Sequence, residues 1–134
     1  MASSNEQWEF LKDIAKLIAW ADENGYKMTA GEAYRTQDQQ NLYYYGLETR
    51  VNNGDVFLVE RHPRSDVPVS KHQSRMAMDF NIFIDGELTY DADRLRAVGE
   101  YWKSLSPKNI WGGDFKASRG KPKGWDAGHF QRGK

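Results

Sequence analysis

Two short stretches hold most of the residues able to do chemistry: "SKHQSRMAMDF" at residues 70–80 and "WDAGHFQ" at residues 125–131. The first carries His72 and Asp79, the second Asp126 and His129, and the chain has only three histidines in all. A catalytic zinc takes three protein ligands from His, Asp, Glu or Cys and keeps a fourth position open for water. Cysteine is absent, so His72, Asp79 and His129 would supply two imidazoles and one carboxylate. Asp126, three residues before His129, is near enough in the chain to reach the water without binding the metal. These are the parts of a zinc hydrolase, in which the metal lowers the pKa of bound water and a free carboxylate accepts its proton. Spacing alone discriminates loosely. The same two-histidine, one-carboxylate set also serves non-haem iron oxygenases, whose carboxylate follows the first histidine by two residues, a spacing this chain lacks.

The elements that must position these side chains are legible from periodicity and capping. Ser3 with Glu6 forms a capping-box pattern, and Trp8, Leu11, Ile14, Ala15 and Ile18 then recur at helical spacing until Gly25. That predicts a first helix with those residues inward. "YKMTAGEAY" alternates as a short strand leading to Arg35. Thr36 and Gln39 repeat the capping pattern before "QDQQNLYYYG", a second helix closed by Gly46. Residues 47–69 give weak signals and read as a long loop with at most one strand, flanking a site. "MAMDFNIFID" alternates cleanly, placing Met76, Met78, Phe80, Ile82 and Ile84 on one face and Asp79 on the other. Leu95, Val98, Trp102 and Leu105 predict a third helix with Asp91 as N-cap and Pro107 beyond its end. "NIWGGDF" and "GHFQ" are strand-like pieces joined by the basic loop "KASRGKPKG". The order of elements predicts an α+β fold: a small, mainly antiparallel sheet flanked by about three helices, with the zinc site at the sheet.

At 134 residues, with 39% hydrophobic and 28% charged residues, the chain suits one domain spanning 1–134 with a core of its own. Lys+Arg and Asp+Glu are both 19, so no global field draws the chain to nucleic acid or an anionic membrane. No apolar run approaches the roughly 20 residues of a membrane span, and the N-terminus lacks a signal-peptide pattern. The expectation is a soluble monomer without membrane insertion.

Several blocks together resemble the zinc D-alanyl-D-alanine carboxypeptidases and L-alanyl-D-glutamate endopeptidases. "SKHQSRMAMD" is similar to that family's Ser-x-His-(x)6-Asp signature and "DAGHFQ" to its Asp/Glu-x-x-His signature. "AYRTQDQQNLYYYG" looks like its arginine-bearing block, and "IWGGDF" resembles a segment of the L-alanyl-D-glutamate subgroup, which includes many phage endolysins. The likeness runs over residues 33–131 with the blocks in family order. It implies Zn2+ held by His72, Asp79 and His129, Asp126 as general base, Arg35 orienting substrate or holding the developing oxyanion, and Ser70 beside the substrate. The substrate implied is the peptidoglycan stem peptide. The setting implied is a lysin kept in the host cytoplasm until lysis and then acting on the wall in the periplasm. Two alternatives are a D-alanyl-D-alanine carboxypeptidase and a non-catalytic, zinc-containing wall-binding domain. One position departs: the family's glycine three residues after the first histidine is Arg75 here, which costs roughly 1 kcal/mol or more if the backbone there needs positive φ. His62 matches no block and reads as a solvated loop residue.

Overall fold

The computed structural model describes residues 2–133. Helix α1, Ser4–Glu23, opens with the anticipated capping box: Ser3 Oγ accepts from the Glu6 N–H while the Glu6 carboxylate accepts from the Ser3 N–H. Its buried face differs from the expected one. Phe10, Asp13, Ile14, Leu17 and Ala21 turn inward, whereas Trp8, Leu11 and Ile18 are 57%, 52% and 44% exposed. The helix carries two apolar stripes at the same period, and the inward one is chosen by partners distant in the chain, Phe10 meeting Trp102 edge-on at 5.8 Å.

Strands β1 (Tyr26–Ala30), β4 (Ala77–Ile84), β5 (Glu87–Thr89), β6 (Asn109–Trp111) and β7 (His129–Arg132) form one antiparallel sheet in the order β1-β4-β7-β6, with β5 also on β4. Helix α3, Arg96–Leu105, ends before Pro107 as expected, but Leu95 and not Asp91 stands at its N-cap. The Asp91 carboxylate accepts instead from the Asp93 N–H, one turn upstream. Helices α1 and α3 supply Phe10, Ile14, Leu17, Val98 and Trp102 to a core completed by Phe80, Ile82, Trp111 and Phe130 from the sheet. Trp102 is fully buried, and its Nε1–H donates to the carbonyls of Ile110 and Gln131, so its polar atom is satisfied where its rings exclude water.

Helix α2, Gln37–Tyr45, is capped by Thr36 Oγ1 and closed by Gly46 in the left-handed region. The following segment corrects the reading of residues 47–69 as a loop with at most one strand. It holds two strands, β2 (Leu47–Asn52) and β3 (Asp55–Glu60), paired as a separate antiparallel hairpin. Asn53 and Gly54 both take positive φ, 51° and 86°, the two-residue turn that such hairpins prefer. With Val51 71% and Val56 68% exposed, the hairpin lacks the buried face that makes strands legible. The tyrosine run Tyr43 to Tyr45, which in the absence of a basic stripe reads from the sequence as core and groove lining, joins no part of the core cluster. Tyr45 is 66% exposed, and the guanidinium groups of Arg35 and Arg64 lie 4.8 and 5.6 Å from the centre of the Tyr43 ring. Among the described residues no helix is long and apolar enough to cross a membrane.

Candidate metal centre and its groove

Strand alternation explains how the two chemical stretches meet. In the β4–β7 ladder Asp79 lies directly opposite His129, and Ala77 opposite Gln131. Odd-numbered residues of both strands share one face. The even-numbered Phe80 and Phe130 turn to the opposite side, where they pack 6.0 Å apart in the core under the helices. Asp79 and His129, 50 positions apart, are therefore neighbours on the face away from the helical layer. The main chain of Asp79 is pinned from the β1 side, its N–H donating to the Glu32 carbonyl and its carbonyl accepting from the Gly31 N–H, both at 2.8 Å.

His72 arrives from a tight turn at residues 71–75. Ser70 Oγ accepts the His72 N–H at 3.2 Å, and the His72 carbonyl accepts the N–H groups of Arg35 and Arg75. Arg75 adopts φ 61°, so the residue standing where the resembled family has glycine does sit in the left-handed region. Its guanidinium stacks 4.1 Å over the Tyr34 ring. Close approach also dictates two glycines beside the site. A Cβ on Gly128 would meet the Phe80 carbonyl oxygen at 2.4 Å, and one on Gly112 the Asp126 carbonyl oxygen at 1.9 Å.

The donor atoms of His72, Asp79 and His129 all lie within 4.8 Å of one another. His72 Nε2 is 3.2 Å and His129 Nδ1 2.9 Å from Asp79 Oδ1, close to the roughly 3.3 Å donor separations of a tetrahedral zinc with bonds near 2.0–2.1 Å. The other ring nitrogens decide what these atoms present. His72 Nδ1 is 2.7 Å from the Ala33 carbonyl oxygen, which only accepts, so Nδ1 carries the proton and Nε2 offers its lone pair. His129 Nε2 faces Gln131 Oε1 at 2.8 Å, leaving Nδ1 to face Asp79. Without a metal a proton can fill the space between these atoms, and with one, two imidazole lone pairs and a carboxylate converge on it. Burial raises the Asp79 carboxyl, but hydrogen bonds from His129 and His72 outweigh it and hold the group well below the usual carboxylate range. Burial likewise depresses His129, and the bond to Asp79 with the nearby Asp126 charge more than reverses it. Both shifts are those of a proton shared between the rings and the carboxylate, a place that a metal ion would take over, and the donor set fits zinc.

Asp126 Oδ2 lies 3.7 Å from His129 Nδ1. Burial pushes its carboxyl up, the Asp79 charge adds to that, and the opposing pull of His129 is weaker. A carboxylate with a raised pKa, close to the metal donors but outside their cluster, is suited to accept and return a proton. Arg35 is buried. Its guanidinium forks onto Glu32, donates from Nη1 to Gln40 Oε1 at 2.6 Å, and lies over Tyr43. Gln40, fully buried, ties this unit to the opposite wall by donating to Ser65 Oγ and the Val67 carbonyl.

Arg35, Ser70, His72, Asp126 and His129 all line one open groove of about 1260 Å³, above the roughly 300–1,000 Å³ of pockets that enclose small ligands. Asp79 is not among the lining residues and bridges the two histidines. His62 is exposed and belongs to no cluster. The basic loop at 116–124 is docked in part: Arg119 donates to the Ser65 carbonyl and Lys121 Nζ lies 4.0 Å over the Trp125 ring. Glu32, three residues before Arg35, is the partner that the sequence offers for that arginine, and the pair forms; neither Gln40 nor Gln131 stands out in the sequence. The signal for Gln131 is the two-residue strand period from His129; for Gln40 only its proximity to Arg35 in the chain is available.

No family model and no curated protein matches the chain. Among solved structures, its fold is similar to the crystal structure of the L-Ala D-Glu endopeptidase ChiX of Serratia marcescens, with a TM-score of 0.58, 16% identity, and coverage of 98% of this chain and 88% of that one.

Proposed function

We propose that the chain is a single zinc-dependent peptidase domain, residues 1–134, that hydrolyses the L-alanyl-D-glutamate bond of the peptidoglycan stem peptide. The observation that carries this reading is the convergence of His72, Asp79 and His129 beside the separate carboxylate of Asp126 at one groove. Fold likeness to an L-Ala D-Glu endopeptidase supports the choice of bond. Zinc held by these three residues would supply a water of lowered pKa and polarise the scissile carbonyl.

The chain's own residues do the rest. Asp126 accepts the proton of the attacking water and hands it to the departing amine. Arg35, held rigid by Glu32 and Gln40, keeps its remaining N–H donors for the substrate carbonyl side, where charge develops. Ser70 fixes the His72 turn through its Oγ and borders the substrate. Phe115, with its ring 5.5 Å from that of His129, gives the groove a water-excluding wall. In biological setting the reading is a monomeric phage endolysin, kept in the host cytoplasm until lysis and then acting on the wall.

The test is mass spectrometry of soluble products from purified sacculi incubated with the protein, with chelator, and with zinc restored. Peptides beginning at D-glutamate, lost with chelator and regained with zinc, are expected. Release of free D-alanine would make the protein a carboxypeptidase, and sacculus binding without product would make it a wall binder. Asp126→Ala should keep zinc bound yet release no peptide; full activity in that variant removes Asp126 from the base role.

A further inference from the structure

We infer that Gln131 is a positioning residue that sets the tautomer of His129, and with it the nitrogen offered to the metal. The inference rests on the metal-site reading above and concerns a residue outside its donor set. The Gly133 carbonyl oxygen can only accept, so the Gln131 NH2 must face it, at 2.7 Å. The side-chain amide orientation follows, and Oε1 is turned to His129 Nε2 at 2.8 Å. An amide oxygen also only accepts, so His129 carries its proton on Nε2. Nδ1 faces Asp79 Oδ1 at 2.9 Å, an acceptor that competes for the ring proton when no cation is present; with the proton held on Nε2 by Gln131, the neutral ring gives its Nδ1 lone pair to a metal placed against Asp79.

The far end of the relay is main chain: the Gly133 N–H donates to the Lys108 carbonyl at 2.8 Å. Polarity therefore passes from the backbone through one side chain to one metal donor. His72 receives the same service directly from the Ala33 carbonyl. The two histidines differ accordingly. One is keyed by backbone that no substitution removes, the other by a replaceable amide two residues along its own strand. The Gln131 backbone is held independently, paired with Ala77 and Ile110 and accepting from Trp102 Nε1, so changing its side chain should spare the sheet.

The experiment compares wild type, Gln131→Met and Gln131→Glu. Met fills the space without an acceptor, whereas Glu restores the acceptor alone. In long-range 1H–15N spectra of the zinc-loaded protein, wild-type His129 is expected to carry its proton on Nε2 and to bind the metal through Nδ1. Zinc affinity by competition with a chromophoric chelator should fall about 10-fold or more in Gln131→Met and return to near wild type in Gln131→Glu, the range typical of outer-shell partners of metal-bound histidine. His129 bound through Nε2 with its proton on Nδ1 in the zinc-loaded wild type overturns the inference, as does zinc affinity in Gln131→Met within about twofold of wild type, well below that typical range. Failure of the metal site itself reads differently: wild-type protein would then take up no zinc, or take it up equally well after His72→Ala.

Discussion

Replacing Arg75 by glycine and by alanine should give the reverse of the ordinary ranking of those two residues. Arg75 holds φ 61°, where a side chain with Cβ costs roughly 1–2 kcal/mol. Its guanidinium returns part of that by stacking 4.1 Å over Tyr34, a contact worth about 0.5–1 kcal/mol at an exposed site. Alanine keeps the strain and loses the stacking, so Arg75→Ala should be less stable by about 0.5–1 kcal/mol. Glycine also loses the stacking but relieves the strain, against a chain-entropy cost of roughly 0.5–1 kcal/mol. Arg75→Gly should therefore stay near wild type and exceed Arg75→Ala by about 0.5–1 kcal/mol. With unfolding entropy near 2.1 cal/mol/K per residue over 134 residues, that gap is roughly 2–4 °C in Tm. Thermal and denaturant unfolding of the metal-free proteins measure it, and a double-mutant cycle with Tyr34→Leu isolates the stacking. Arg75→Ala as stable as Arg75→Gly would refute the reasoning, because the turn would then have relaxed out of the left-handed region. Zinc affinity should be unchanged throughout, since no donor atom moves.

Three further outcomes are expected. Arg35→Lys should lower kcat/KM by about 10-fold or more while leaving zinc affinity intact, because an ammonium cannot engage Glu32 and Gln40 as the planar fork does; unchanged turnover on sacculi would remove Arg35 from the mechanism. Gly128→Ala should destabilise by about 1–3 kcal/mol and weaken zinc binding, since its Cβ would press on the Phe80 carbonyl oxygen beside Asp79; an unchanged Tm would contradict that close approach. Asp114 accepts from Lys103 and Arg96, each at 2.7 Å; burial raises its carboxyl, but those two bonds win and lower its pKa below the ordinary 3.8. Its contribution is therefore present above pH 3.8 and lost as pH falls through the lower folded value. At this partly exposed pair, Asp114→Asn should cost at most about 1 kcal/mol at neutral pH, with the gap to wild type closing in acid; a gap that persists there would show a structural cause.

Capping and strict alternation were legible because they are local. Ser3, Thr36 and Gly46 satisfy or terminate their own helices, and the alternation of residues 76–84 reports a strand with one buried face. The same alternation told which way Asp79 points, so meeting His129 needed only the ladder. What escaped was decided at a distance. The two stripes of α1 are equivalent until Trp102 and the sheet choose between them. The β2–β3 hairpin buries little on either face, so its hydrophobic pattern is faint, although Asn53-Gly54 signalled its turn. Leu95 caps α3 without a side-chain bond and leaves no capping signature to read. Gln40 acts through Arg35, in a network that exists only once helix, turn and groove wall are assembled.

The sheet order β1-β4-β7-β6 has a consequence for how the protein comes into being. Its interior strand β7 is made from residues 129–132 and lies between strands that leave the ribosome before it. A nascent chain can form its helices and the β1–β4 pair early, but β6 has no partner in the sheet until β7 inserts. Closing a ladder over 50 positions of sequence is a slow, entropically costly step compared with local hairpins. The same insertion delivers His129 opposite Asp79 and brings Gln131 to its place beside them. Completion of the fold and completion of the donor set are one event, so partly synthesised or proteolytically shortened chains lacking that strand carry two of the three donors and an unfinished sheet.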